Sequence, residues 1–270
     1  MVSESENVDR IKRFQVYFDA CSTLDRCMGQ VFSNNSAKLH LAREKNDHDF
    51  RLLACAMFGK ANKTFEAVLK LCATGYGEDA LVLLRSNLNL VIDFFYILAD
   101  DSLDRAADCI ANGQNEQIKF LIQSKRPLPQ WVEVLNIEEI KQRAKRWRTI
   151  PIAERAKKAA KQSHYQSGYR FYSSLAHSDA RALSSYIEDN SVSGLMVQSS
   201  PTDRFIRIAL VDNFRLMADV FQGFCFCFAI DSKDAFKTIK ENWERLGEVM
   251  SASKKPPPSA DDVTGTRNFN

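Results

Sequence analysis

The chain has 270 residues, long enough for one large domain, with 45% hydrophobic and 26% charged residues, values that are ordinary for a globular protein. Its ten glycines and seven prolines are too few for the many turns of a β-sandwich or β-barrel. The formal net charge of +3 is too small to indicate a partner by itself. Long stretches rich in Ala, Leu, Lys, Glu and Arg predict an all-α fold. We expect a multi-helix up-and-down bundle with additional helices and a disordered C-terminal tail.

Apolar residues recur at helical spacing along most of the chain, and capping residues, prolines and glycines mark where each helix begins and ends. We predict a single helical domain over residues 1–250 and a flexible tail over residues 251–270. In chain order, the predicted helices span 8–30, Asp47 or Asp49 to about Gly75, Glu78 to about Leu98, Ser102 to about Gln123, about 131–161 with a break at Pro151, 163–189, Pro201 to about Ile230, and 233–250.

Cysteine usage and hydropathy suggest the compartment. The seven cysteines are odd in number and lack C-x-x-C spacing, so we expect reduced thiols in the core rather than disulfides or a zinc site. No histidine has metal-ligand spacing, and we expect no metal or other cofactor. The acidic N-terminus lacks the apolar segment of a signal peptide. The most apolar stretch, 205–230, contains charged residues and is predicted to be a core helix, so we expect a cytoplasmic protein without a membrane segment.

Basic residues are concentrated between residues 138 and 161, where nine Lys or Arg stand against three Glu. This basic segment has a net charge of +6, which leaves −3 for the rest of the chain. Lys and Arg neutralise phosphates, and an indole stacks on an unpaired base. We therefore predict that Arg146, Trp147 and Arg148 bind single-stranded RNA. The alternative is a solvated helix surface whose tryptophan anchors the helix in the core.

Arg170 and His177 are seven residues apart in a predicted helix, so their side chains leave the helix on nearly the same face. Ser173 and Ser174 lie between them. Arginine binds phosphate through two donors without losing its charge, and histidine titrates near neutral pH. We therefore take all four as candidate catalytic residues. The alternative is a structural histidine that bonds a neighbouring helix.

A second polar line lies on the helix predicted from Glu78. Arg85, Asn89 and Asp93 are spaced by four residues on a helix that is otherwise apolar. A buried arginine needs a partner, because an uncompensated charge in a core costs several kcal/mol. Asn89 and Asp93 are local candidates, while Ser173, Ser174 or His177 could approach from another helix. The alternative function for this line is a buried network that fixes the register of the helices.

Both stretches together resemble an all-helical bacterial family of unknown function, over roughly residues 50–230. That family has a Gly, an Ala and Leu-x-x-Arg-Ser-x-x-Glu early in the chain, followed later by Tyr-x-x-x-Ser-x-x-x-His. The chain departs from the pattern at Asn89, where the family usually has glutamate. The residues that match are Gly77, Ala80, Arg85 and Ser86 in the first motif, and Tyr169, Ser173, His177 and Ser178 in the second.

The arginine, six intervening residues and histidine also resemble the HEPN superfamily of all-helical proteins, although Tyr169 stands where a polar residue is common. The resemblance implies a metal-independent endoribonuclease in phage defence or a toxin system, active as a homodimer. Its partners would be RNA and a protein encoded nearby. His177 would be the general acid and base and Arg170 the phosphate clamp, with Ser173 or Ser174 to orient them. Arg85, Asn89 and Tyr169 would line the same cleft and bind substrate.

The competing hypothesis is a non-catalytic helical interaction module that binds a protein partner or nucleic acid. The same polar residues would then form a buried network, and the basic segment would be the docking face. A groove open to solvent beside Arg170 and His177 favours catalysis, whereas separate buried contacts for the two favour the module.

Overall fold

The computed structural model describes residues 4–39, 48–100, 103–133, 135–176, 187–190, 194–197 and 200–252. These ranges are largely helical, which confirms the predicted all-α class. Two short strands, β1 (Ile187–Asn190) and β2 (Gly194–Val197), form an antiparallel pair with Ile187 opposite Val197. The helices are α1 (Glu4–Arg13), α2 (Gln15–Asn34), a 3₁₀ helix (Ser36–Leu39), α3 (His48–Thr74), α4 (Gly77–Leu98), α5 (Asp104–Gln123), α6 (Gln130–Glu133), α7 (Ile137–Thr149), α8 (Ile152–Lys158), α9 (Gln162–His164), a π-helical turn (Tyr165–Tyr169), α10 (Arg170–Ala176), α11 (Ile206–Cys227) and α12 (Lys233–Ala252).

Five long helices, α2, α3, α4, α11 and α12, surround the main hydrophobic core, whose buried residues run from Tyr17 to Leu246. Helices α4 and α11 carry buried side chains on most sides, and α11 contacts α2, α3 and α4. Aromatic rings join the helices at one end. Phe32 of α2 lies edge-on to Phe58 of α3 at 5.0 Å and to Phe224 of α11 at 5.4 Å between ring centroids. Such pairs add to the stabilisation that comes from burial of apolar area.

Two glycines lie where α4 and α11 come close to each other. Gly77 begins α4 beside the start of α11, and a Cβ there would lie 2.1 Å from the carbonyl oxygen of Arg204. Gly223 lies near the end of α11, and a Cβ there would lie 2.8 Å from the ring of Phe94 near the end of α4. The two helices therefore run parallel in close contact, which a larger residue at either glycine would disrupt. The additional helices carry the chain back from the end of α4 to the start of α11.

A second, smaller core lies beside the bundle, where α5 packs along α7 and α8 packs on α4. Asn136 caps α7, because its side-chain oxygen accepts the backbone N–H of Glu139 at 3.2 Å. Ile140, Ala144 and Trp147 then recur at helical spacing and are all buried. This arrangement confirms the predicted additional helices.

Several predicted boundaries were wrong. The predicted first helix, 8–30, is two helices that meet at Phe14. Arg10 and Arg13 of α1 both pair with Asp203, near the start of α11. The predicted helix 163–189 contains a π-helical turn, and its last residues belong to β1. Helix α12 ends at Ala252, and the rest of the predicted tail lies outside the described residues.

All seven cysteines are free thiols. Cys21 and Cys72 are fully buried in the core, and burial raises the pKa of the Cys72 thiol to about 12. Of the helices described, α4 has the length and hydropathy of a membrane-spanning segment, and 56% of its most apolar window is buried inside the protein. That degree of burial is what a central core helix also shows.

Candidate active site

The π-helical turn brings α10 close to α4. The turn contains Gly168, which is buried, and a Cβ at this position would lie 3.4 Å from Leu88 of α4 and 3.0 Å from the ring of Tyr172. Glycine therefore leaves room for the side chains of Leu88 and Tyr172 at this turn. Single π-helical turns inside helices are frequent at functional sites.

Arg85 of α4 meets residues of both the π-helical turn and α10. Its Nε donates a hydrogen bond to Oγ of Ser173, with a distance of 3.0 Å between these atoms. Its Cζ lies 5.5 Å from the ring centroid of Tyr169, and that ring stacks on Tyr165 with 4.7 Å between centroids. The half-buried guanidinium thus has a hydroxyl and an aromatic face as neighbours. The structure thus brings together the two sequence motifs that contain Arg85 and Ser173. Ser173 was one of the candidate partners of Arg85 in the sequence analysis.

The other predicted catalytic residues have different surroundings. Arg170 is exposed and lies one helical turn before Ser173. The Ser174 hydroxyl donates to the carbonyl oxygen of Phe171 at 2.9 Å, so it is directed back along its own helix rather than towards Arg85. The predicted role of Ser174 in orienting a reacting group therefore has no support from its contacts. His177 lies outside the described residues.

Asp93, one of the candidate partners of Arg85, does not pair with it among the described contacts. Asp93 pairs instead with Nη1 of Arg155 from α8. Burial raises the pKa of Asp93 to about 6, although the charge of Arg155 and its hydrogen bond, together with the charge of Lys60, act in the opposite direction. Asn89 lies between the two and makes no hydrogen bond through its buried Oδ1 within the described part of the chain.

Carboxylates of α11 that the sequence analysis did not single out as site residues hold the α9–α10 region in place. Tyr172 donates its hydroxyl proton to Asp212, which also pairs with Arg215 at 3.0 Å. Asp219 lies 3.0 Å from Nζ of Lys161 and 3.0 Å from Nε2 of His164. The spacing of the two carboxylates was a usable signal, because residues seven apart on an apolar helix share one face.

The balance of charge and burial differs at Asp219. Burial would raise the pKa of its carboxyl, but the contact with His164 and the charge of Lys161 outweigh burial and lower it. Asp219 therefore stays ionised and binds the start of the α9–α10 region. The contacts of Asp219 with Lys161 and His164, and of Asp212 with Tyr172, hold the segment that carries Ser173 against α11.

Trp147 does not form a base-stacking surface, so that prediction was wrong. Its side chain is 6% exposed and packs in the second core, with its ring centroid 5.8 Å from that of Tyr96. Arg155 covers the indole at 4.6 Å from the centroid. The structure instead shows the alternative given in the sequence analysis, in which Trp147 anchors its helix in the core. The helical spacing of Ile140, Ala144 and Trp147 was the sequence signal for this burial.

The predicted basic segment is largely neutralised by carboxylates. Arg146 pairs with Asp108 of α5 at 2.7 Å, and Arg148 pairs with Glu116 of α5 at 3.1 Å. Among the described residues, Lys145 is a member of this segment without a carboxylate partner, and Lys157 is another. The members with such a partner are Lys141, Arg143, Arg146, Arg148, Arg155, Lys158 and Lys161. Its surface therefore attracts a polyanion less strongly than the charge count indicates.

Comparison with known proteins identifies the family. A family of unknown function, DUF5677, matches residues 51–194, which is more than half of the chain. The chain belongs to the DUF5677 family. The DUF5677 region contains Arg85, Tyr169, Ser173 and His177, and it confirms the resemblance to an uncharacterised helical family. Neither the curated proteins nor the solved structures contain a match. Membership of DUF5677 supports the fold and adds no chemistry.

Proposed function

We propose that this DUF5677 protein is a metal-independent endoribonuclease of the HEPN type. The observation that carries the proposal is the hydrogen bond of 3.0 Å between Arg85 and Ser173. It joins the two motifs of the chain next to the helical turn that begins with the exposed Arg170. In the proposed function, Arg85 of α4 and Arg170 of α10 bind one phosphodiester. A guanidinium binds phosphate oxygens through paired donors.

The proposed reaction is cleavage by the RNA's own 2′-hydroxyl. The 2′-oxygen forms a bond to the adjacent phosphorus, the bond from phosphorus to the 5′-oxygen breaks, and a cyclic phosphate and a 5′-hydroxyl result. His177 takes the proton of the 2′-hydroxyl, and a second acid, His177 of the other copy in a homodimer, protonates the departing 5′-oxygen. Arg85 and Arg170 bind the non-bridging phosphate oxygens, where negative charge increases in the transition state.

The contacts of Arg85 suit it to this role. The hydroxyl of Ser173 and the ring of Tyr169 fix the guanidinium on one side, so less conformational entropy is lost when phosphate binds. The Tyr169 ring also stacks on Tyr165. The wider setting that we propose is a cytoplasmic homodimer that acts on RNA in phage defence or a toxin system, with a protein encoded nearby as its regulator.

RNA cleavage in EDTA tests this proposal. We expect wild type to cleave unstructured RNA, and we expect His177→Ala, Arg170→Ala and Arg85→Ala each to lower the rate by at least about a hundredfold, as loss of a general acid and base or of a phosphate ligand does. Arg245→Ala is the matched control, because Arg245 is exposed on α12. Circular dichroism shows whether each variant is folded. No cleavage by wild type, or equal cleavage by wild type and His177→Ala, would refute the proposal.

A non-catalytic interaction module is the second candidate, because Arg85 is half-buried in contacts that also suit a network fixing helix register. This function predicts that Arg85→Ala lowers thermal stability while wild type never cleaves RNA. The same experiment therefore separates the two candidates.

A further inference from the structure

Two adjoining cavities form a groove on the surface between α3 and α4. Their volumes are about 510 Å³ and 370 Å³, and both are lined by Ala56 and Lys60. Small side chains on α3 leave this space open between the helices. We call it the α3–α4 groove. Its lining residues used below are Lys60, Lys63, Ser86, Asn89 and Asp93.

The lysines of the α3–α4 groove differ from most cations of the basic segment. Lys60 and Lys63 are exposed, and within the part of the chain that the structure describes neither forms an ion pair with a carboxylate. Asp93, the one carboxylate that lines the groove, is bound to Arg155. Residues three apart on a helix are neighbours on its surface. The two ammonium groups are therefore available to neighbouring phosphates of an extended strand.

The floor of the groove contains an acceptor without a donor. Oδ1 of Asn89 is buried and accepts no hydrogen bond from the described residues, and Asn89 is one of the residues that line the smaller cavity. A buried acceptor without a donor is costly. Ser86 adds an exposed hydroxyl on the same wall. Asn89 lies one helical turn after Arg85, so the groove begins beside the candidate active site.

We propose that the α3–α4 groove binds a single-stranded stretch of the RNA substrate. This inference rests on the proposed nuclease function, whose cleavage site lies next to the groove. Lys60 and Lys63 neutralise phosphates, and the side chains of Ser86 and Asn89 give an unpaired base a polar wall. The cavity volumes suit individual small ligands such as nucleobases. Specific RNA recognition of this kind uses splayed-out bases, which a duplex does not offer.

Binding of an uncleavable probe tests the groove independently of catalysis. The probe is a fluorescent 2′-O-methyl oligonucleotide of about 12 nucleotides, which has no 2′-hydroxyl to attack. Fluorescence anisotropy measures its affinity at several salt concentrations. We compare wild type with Lys60→Gln/Lys63→Gln, and with Lys237→Gln/Lys240→Gln as the control. The control removes the same charge at the same spacing from the exposed surface of α12.

We expect the groove variant to lose two phosphate contacts. The slope of log affinity against log salt concentration should then be shallower by about 1.4, because each contact with a single strand contributes about 0.7. At 0.15 M salt this corresponds to roughly tenfold weaker binding. The control should bind like wild type, and a duplex of the same sequence should bind wild type more weakly than the single strand.

The inference would be overturned by equal affinity of the groove variant and wild type, by no binding of the probe to wild type, or by a preference of wild type for the duplex. Greater loss in Lys145→Gln/Lys157→Gln than in the groove variant would place the strand on the basic segment instead and would also overturn it. Failure of the nuclease proposal appears differently. It gives a wild-type protein that binds the probe through Lys60 and Lys63 but leaves unmodified RNA intact.

Discussion

The carboxyl group of Asp93 should make the free energy of unfolding decrease as the pH rises from 4 to 7. Burial raises its pKa from 3.8 to about 6. The groups that face it are Arg155 of α8, Lys60 of α3 and Cys109 of α5. Because the folded protein holds this proton more tightly than the unfolded chain, protonation stabilises the fold. That stabilisation is complete below pH 3.8 and is lost as the pH rises through 6. A shift from 3.8 to 6 corresponds to about 3 kcal/mol.

Urea denaturation measures this contribution. The free energy of unfolding is determined from pH 4 to pH 7.5 for wild type and for Asp93→Asn, which cannot titrate. We expect the free energy of unfolding of wild type minus that of the variant to decrease by about 2.4 kcal/mol over this range, with equal m-values showing that the unfolded states are comparable. Asp9→Asn, at a carboxylate whose side chain is 71% exposed, controls for the loss of one negative charge. Other carboxyl groups contribute equally to the free energies of unfolding of wild type and of Asp93→Asn, so their contributions cancel when one is subtracted from the other.

The result that would refute this reasoning is a difference that stays constant or increases with pH. An increase would mean that the ion pair with Arg155 outweighs the burial of Asp93, so that the ionised form is the stabilised one. A decrease centred well below pH 6 would mean that water reaches the carboxyl group in the folded protein.

Two further predictions concern packing. Gly77→Ala should lower the free energy of unfolding by at least about 3 kcal/mol, because its Cβ would lie 2.1 Å from a backbone oxygen. Gly29→Ala, where a Cβ meets no atom within 4 Å, should raise it by about 0.5–1 kcal/mol, and equal effects in urea denaturation would contradict both. Trp147→Ala should cost about 3–5 kcal/mol while the affinity of the folded fraction for the 2′-O-methyl probe is unchanged. If Trp147→Ala instead bound the probe more weakly and kept its free energy of unfolding, Trp147 would have the stacking role that the sequence predicted.

The helices with the strongest apolar patterns could be predicted from the sequence. Helix α4 was predicted from Glu78 to about Leu98 and is observed from Gly77 to Leu98, because its two opening acids and its unbroken apolar spacing are local signals. The division at Phe14 could not be predicted. No proline or glycine marks it, and α1 is positioned by Asp203, which is distant in the sequence.

The candidate site was predictable in part for a similar reason. The approach of Ser173 to Arg85 was one of the expected pairings, since a half-buried cation needs a partner. Asp93 was another candidate, but eight residues of α-helix place it about 12 Å along the axis from Arg85 and turn its side chain by about 80°, and it pairs with Arg155 of α8 instead. Sequence spacing also cannot show that the basic segment lies against the acids of α5, since that contact depends on how two helices pack.

Helices α4 and α11 run parallel in close contact. The region that the family model matches is therefore shorter than the region that forms the hydrophobic core. The matched region ends at residue 194, before α11, which packs on α4 and shares the main core with Leu84, Val91 and Phe94. A fragment cut there would leave this apolar face in water and should aggregate. Autonomous folding therefore requires the chain to continue at least through Cys227, so the α4 wall of the candidate active site depends on a helix that the family signature does not include.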